Sequence, residues 1–206
     1  PDQIKEFLIP ALRGERIAAL GVSEPGAGSD VAGIRTTARR VGGDYVVNGA
    51  KTYITNGTRA GFVTLLVKTN PDAGHQGISI LLFPTDTRGF AVSKKLKKIG
   101  NYASDTAELV FEEARVPARC LLGDEGKGFY YLMQNFQTER LIAAASACAG
   151  SKMALDQAVA YGRDRVAFGK PIIMNQSIAF KLANMITEID ASRLLIWRAA
   201  WLARNG

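Results

Sequence analysis

The chain has 206 residues, enough for one large domain or two small ones, with 47% apolar and 22% charged residues, an ordinary balance for a globular protein. The formal charge of +7 could attract anions, but Lys and Arg are dispersed. The densest run, Lys94-Lys95-Leu96-Lys97-Lys98, has little aromatic interleaving, so it reads as a solvated face and not as a nucleic-acid site.

Cys120 and Cys148 lie far apart and fit neither a zinc spacing nor a redox pair, so both are expected to be buried, reduced thiols of an intracellular protein. The single histidine, His75, sits in the polar loop Asn70–His75, where exposure is expected. One histidine leaves no basis for a multi-histidine metal site and makes a Ser-His-Asp triad improbable. No apolar run has the length of a membrane span, and no signal peptide is evident.

In chain order, residues 1–16 read as the end of a helical region. They begin without a plausible initiator methionine, which suggests a fragment of a longer polypeptide. Strand patterns follow from about 17 to 121. Ile17 to Val22 is a short apolar run, broken by Ser23-Glu24-Pro25-Gly26-Ala27-Gly28-Ser29-Asp30. Pro25 fixes its own φ, while Gly26 and Gly28 free theirs, so this backbone can come close to a ligand; a plain surface turn is the alternative. Ile34 to Val41, Gly42-Gly43 and Asp44 to Val47 predict a hairpin, and Tyr53-Ile54-Thr55 ends at the turn dipeptide Asn56-Gly57. Phe62 to Val67, Ile78 to Phe83 and Thr106 to Phe111 are further short apolar runs. Together they predict an antiparallel sandwich or barrel.

Beyond Gly123-Asp124-Glu125-Gly126-Lys127-Gly128 the pattern becomes helical, with helices predicted over Phe129 to Arg165 and Ser177 to Arg204. In the second, Ile178, Leu182, Met185, Ile189 and Ile196 recur at helical spacing, and Leu195, Trp197 and Trp201 widen the stripe. So wide an apolar face requires burial on more than one side. The whole is therefore read as α+β and multi-domain: the end of a helical domain (1–16), a β-domain (17–121), and the first part of a helical bundle (122–206). No P-loop is present, and Gly26, Gly28 and Gly33 are out of register for a dinucleotide fingerprint.

Four segments taken in order, Val22 to Asp30, Tyr53 to Gly57, Thr138-Glu139-Arg140 and Arg165 to Lys170, resemble the acyl-CoA dehydrogenase family. Ser104-Asp105-Thr106 and the stretch from Val116-Pro117 to Gly123 add to the likeness, which covers essentially the whole chain. The resemblance implies the family's middle β-domain and the first part of its C-terminal helical domain. It also implies FAD as cofactor, with Leu20, Val22, Ser23, Gly28, Ser29, Tyr53, Ile54, Thr55, Arg165, Phe168 and Gln176 at cofactor-binding positions. Tyr53 would cover the flavin ring, and Thr55 would hydrogen-bond near its reactive nitrogen; an ordinary strand pair is the other reading. Arg165 and Phe168 match positions that reach across a subunit interface. There the Arg fork binds the pyrophosphate, although a cation favoured at a helix C-terminus would look the same.

By the same resemblance, Ser29, Gln137, Thr138 and Arg140 lie near the CoA substrate, and Glu139 is the base that removes the α-proton. That placement follows the isovaleryl-CoA and long-chain branches, whereas most of the family carries the base on a later loop. Such a carboxylate needs desolvation, which raises its pKa; the alternative is a helix-surface Glu. The implied reaction is dehydrogenation of an acyl-CoA to a trans-2-enoyl-CoA in fatty-acid β-oxidation or amino-acid catabolism. Electrons would pass to an electron-transfer flavoprotein, and the setting would be the bacterial cytoplasm or mitochondrial matrix in a homotetramer or homodimer. An acyl-CoA oxidase and a non-catalytic scaffold of the same fold are the alternatives.

Overall fold

The computed structural model describes residues 2–205 and divides into two compact units, Pro1–Leu132 and Met133–Gly206. The first opens with helical turns over 2–12 that include a π-helical stretch, Ile4–Leu8, and a short helix α1 (Ile9–Leu12). Phe7 is buried there, edge-on to Phe62 at 5.2 Å.

Seven strands then form one sheet: β1 (Ala18–Gly21), β2 (Thr37–Val41), β3 (Asp44–Thr55), β4 (Phe62–Lys68), β5 (Ile78–Pro84), β6 (Phe90–Lys95) and β7 (Thr106–Pro117). Their order is β1-β4-β2-β3-β7-β6, with β5 also paired to β4. Most pairings are antiparallel, as expected from the turn-rich pattern. The exceptions are β1, which runs parallel to the first half of β4 from Ala18↔Phe62 to Gly21↔Leu65, and a single parallel pairing of Thr37 with Lys68. The sheet is therefore mixed. Alternating apolar residues signal that a strand is half-buried, but they carry no information about its partner's direction.

The main core cluster includes Val63, Leu65, Val67, Leu81, Phe83, Leu109 and Phe111, with Phe83 and Phe111 edge-to-face at 5.0 Å, and β4 and β5 are buried along nearly their whole length. β6 was not anticipated as a strand. Beyond Phe90 its residues are exposed, including Lys94 and Lys95, because it is the sheet's edge and its lysines face water. Edge lysines discourage pairing with a foreign strand. Cys120 is buried in the core and unpaired.

The helix α2 (Gly128–Asp164) begins in the first unit and supplies the first part of the second. A two-residue hairpin, β8 (Val166–Ala167) and β9 (Lys170–Pro171), leads to α3 (Gln176–Asn205). α2 and α3 run side by side: Cys148 lies against the Ile189 carbonyl, and Leu155 and Val159 share a groove with Ala179 and Leu182. Much of the apolar stripe on α3, including Met185, Leu195, Trp197 and Trp201, is open in the single chain, as a face that needs more than one packing partner would be. Among the described residues, no helix is long and apolar enough to cross a membrane.

Candidate active site

In the first unit, the segments that the sequence singles out are drawn together by backbone and side-chain hydrogen bonds. β1 and the end of β3 lie alongside each other: Asn56 Nδ2 donates to the Ala18 carbonyl (3.2 Å), and Thr52 N–H donates to the Ser23 carbonyl (2.9 Å). Ala19 and Ile54 belong to the core cluster, so the alternation of side chains turns Leu20, Tyr53 and Thr55 the other way, and all three are exposed. Ile54 is therefore not available through its side chain to a ligand on that face, and Val22 is likewise buried. Both can contribute only backbone groups.

Tyr53 is 72% exposed and has φ +59°. Between the pairs Lys51↔Leu109 and Ile54↔Ala107, β3 spends two residues against one on β7. This bulge re-aims Tyr53, and a tyrosine in the left-handed region costs about 1–2 kcal/mol. Strain of this kind collects at functional sites, where surrounding structure holds it in place. Tyr53→Gly is expected to remove that strain. It should leave the melting temperature of the protein unchanged or raised, since an exposed ring contributes little packing, while weakening any ligand that stacks on the ring. A clear fall in melting temperature would mean that the ring has a packing role in the fold.

The Val22–Asp30 loop closes on itself through Glu24 and Ala27, whose N–H groups donate to each other's carbonyls at 2.8 and 3.1 Å. Gly28, Ser29 and Asp30 beyond this turn are exposed. Beneath it lies a pair that the sequence reading did not single out. Lys51 is fully buried, and its Nζ donates to Glu24 Oε1 at 2.8 Å and to the Val22 carbonyl at 3.0 Å. The Glu24 carboxylate also accepts the N–H groups of Arg35 (2.6 Å) and Thr36 (3.0 Å).

Burial alone would raise the Glu24 carboxyl, but Lys51 and these donors together outweigh it and hold the group below its usual range. Burial wins at the other partner and brings Lys51 down to about 8, even against the pull of Glu24. At neutral pH the pair is therefore charged on both sides. The packing around it is tight: at Gly49, with φ +146°, a side chain would meet Thr36.

Asp105, in the Ser104-Asp105-Thr106 motif, pins the turn that follows Thr55. Its Oδ2 accepts from the N–H and hydroxyl of Thr58 (2.9 and 2.8 Å), and Arg59 pairs with Oδ1 at 3.1 Å. Burial opposes its ionisation, but these contacts prevail and keep it below the usual carboxylate range. His75 is exposed, as expected, and lies beside Phe129 and Tyr130.

The second unit carries the other candidate residues. Gln137, Thr138, Glu139 and Arg140 occupy about one turn of α2, all exposed. Asn135 Nδ2 donates to Glu139 Oε1 at 2.6 Å, and Arg140 lies over the Phe136 ring at 5.5 Å. In this chain Glu139 has the exposure of a helix-surface carboxylate, so a desolvated setting would require a ligand or partner chain to cover it. Arg165 is exposed just after α2, and its carbonyl accepts from Ile172 N–H (2.9 Å), which closes the hairpin. At the hairpin tip both Phe168 (φ +52°) and Gly169 (φ +75°) are left-handed, the pattern of a type I′ turn. Glycine takes this conformation freely, but phenylalanine does not, and the Phe168 ring is fully exposed. Gln176 is exposed at the first residue of α3.

Two domain models of one family match the chain. The acyl-CoA dehydrogenase middle domain covers residues 19–114, and the C-terminal domain covers residues 126–206. The chain belongs to the acyl-CoA dehydrogenase family. It is 42% identical over 205 residues to an acyl-CoA dehydrogenase of Bacillus subtilis, which takes in all of this chain and 54% of that protein. Against the mitochondrial long-chain specific acyl-CoA dehydrogenase of Rattus norvegicus it is 43% identical over 197 residues, 95% of this chain and 46% of the relative. Among solved structures, a probable acyl-CoA dehydrogenase from Mycobacterium abscessus superposes with a TM-score of 0.92 at 48% identity, over 98% of this chain and 54% of that one. The chain thus spans about half the length of the relatives it matches.

Proposed function

We propose that the protein to which this chain belongs is an FAD-dependent acyl-CoA dehydrogenase, converting an acyl-CoA to its trans-2-enoyl-CoA. The observation that supports this most is the exposed face of Leu20, Tyr53 and Thr55 inside the matched middle domain, with Tyr53 held at a strained bulge. An isoalloxazine ring is flat, with an apolar body and a polar edge. An aromatic ring, an aliphatic side chain and a hydroxyl on one face suit it well. When bound, FAD supplies the acceptor for the hydride that leaves the substrate's β-carbon.

On this reading the chain's own residues do the rest. Tyr53 and Leu20 cover the ring system and exclude water from it. Thr55, with backbone groups of Val22, Ser23 and Ile54, lines its polar edge, and Gly28 and Ser29 border the cofactor and the CoA arm. Arg165 offers a planar guanidinium for the pyrophosphate, with Phe168 and Gln176 beside it. The exposed, left-handed Phe168 is well suited to enter a neighbouring subunit of a homodimer or homotetramer. Glu139 accepts the α-proton at a carboxylate oxygen, oriented by Asn135, while Gln137, Thr138 and Arg140 flank the substrate. An acyl chain laid against α2 would displace water from around Glu139. Residues 17–121 then serve as the middle β-domain and 122–206 as the start of the C-terminal bundle. An electron-transfer flavoprotein takes the electrons, in a bacterial cytoplasm or mitochondrial matrix.

The test is an anaerobic visible spectrum of the full-length protein before and after addition of acyl-CoAs of graded length and branching. The expected result is a flavin spectrum that bleaches with one class of chain. A colourless protein that cannot be reconstituted with FAD would overturn the reading, and a flavoprotein reduced by no acyl-CoA would overturn its substrate.

A further inference from the structure

The Glu24–Lys51 pair is charged, almost completely buried and placed immediately beneath the flavin-facing segments, yet none of the roles proposed above uses it. A buried ion pair adds little net stability compared with apolar residues of the same volume. Where such a pair stands, its geometry is the more informative property. Lys51 holds the Val22 carbonyl, and Glu24 holds the Arg35 and Thr36 N–H groups, so three chain segments converge on one contact. One residue beyond Lys51, Thr52 N–H holds the Ser23 carbonyl, and one residue further is the strained Tyr53.

We propose that Glu24 and Lys51 are positioning residues for the flavin site. By clamping the Val22–Ala27 turn to β3 they fix the spacing between the turn's backbone at Val22–Ser23 and the re-aimed ring of Tyr53. This rests on the flavin-binding reading given above. The clamp acts through main-chain atoms: the Lys51 side chain faces the core, Glu24 is 8% exposed, and neither reaches the exposed face of Leu20, Tyr53 and Thr55. Removing the clamp leaves the residues of that face unchanged, with the Thr52 N–H to Ser23 carbonyl bond as the remaining main-chain tie between turn and strand.

The test uses the full-length protein stripped of flavin, in two variants. Glu24→Gln/Lys51→Met removes both charges together and so leaves no unpaired ion in the core. Glu24→Asp keeps the charge but shortens its reach by one methylene, so the carboxylate can no longer hold Lys51 and both N–H groups at once. Each is titrated with FAD by fluorescence quenching, and the melting temperature of the flavin-free protein and the visible spectrum of the loaded protein are recorded. The expected result is FAD binding weakened at least tenfold and a shifted flavin spectrum in both variants, even where the flavin-free melting temperature stays close to wild type. FAD affinity and spectrum equal to wild type in either variant would overturn the positioning role and leave the flavin reading intact. A wild-type protein that binds no FAD would overturn that reading, and this inference with it.

Discussion

Glu139→Gln is expected to abolish substrate-dependent flavin bleaching in the full-length protein, slowing reduction by roughly a hundred- to ten-thousandfold, the usual contribution of a general base. FAD affinity and the resting spectrum should stay unchanged, because Glu139 sits on α2 and the groups proposed to face the flavin ring lie on β1, β3 and the Val22–Asp30 loop. The fold should be unaffected as well. Glu139 is exposed, its side chain accepts from Asn135 four residues earlier, and a glutamine preserves helix propensity at that position. The experiment therefore isolates proton abstraction. Stopped-flow reduction under anaerobic conditions reads it directly, and a rate equal to wild type would move the base to a carboxylate outside this chain.

The pH dependence of that rate should carry the same information. Glu139 must be ionised to take a proton, so the rate should show an acid limb on which reduction fails. In Glu139→Gln the limb should vanish along with the rate.

Much of this was legible in the sequence because it is local. Gly42-Gly43 between two β-rich runs gives the β2–β3 hairpin, the alternation around Ile54 places Tyr53 and Thr55 on one face, and the composition of 129–165 and 177–204 gives two long helices to within a residue or two. What escaped is non-local. The parallel pairing of β1 with β4 depends on a partner more than forty residues away, and β6 is an edge strand whose exposed lysines carry no periodic signal. Lys51 escaped because lysine is expected at a surface, and nothing in Gly49-Ala50-Lys51-Thr52 says that its partner is Glu24, 27 residues earlier. A charged residue so close to the buried Ile54 in a strand was the available clue. The bulge and the left-handed backbone at Tyr53 are equally invisible locally, since they go with a mismatch of register with β7.

The second large effect is on stability and follows from that buried pair. Lys51→Met alone is expected to destabilise the protein by about 3–5 kcal/mol, because it strands the Glu24 carboxylate in a buried site without its cation. For a unit of this size that corresponds to a fall in melting temperature of roughly 10 °C or more. Glu24→Gln/Lys51→Met should recover most of the loss, since no uncompensated charge remains and the glutamine carbonyl can still accept one of the two N–H groups that Glu24 holds. Failure of the double variant to recover would mean that packing, and not charge, dominates at this site.

The pH dependence has a definite sign at each partner. The folded Glu24 pKa lies below its ordinary value of 4.5, so its contribution is in full force above pH 4.5 and is lost as pH falls through the lower folded value. The stability gap between wild type and Glu24→Gln should therefore narrow in acid. Lys51 titrates near 8 when folded and near 10.5 when unfolded, so over that interval the unfolded chain binds more protons. Between about pH 8 and 10.5 wild type should gain stability relative to Lys51→Met, even as the ion pair itself is being discharged. The gain arises because the cost of burying the ammonium disappears once its proton is lost. Denaturant titrations of both proteins at pH 7 and pH 10 measure it, and a gap that does not change would mean that Lys51 is not held in the desolvated setting described above.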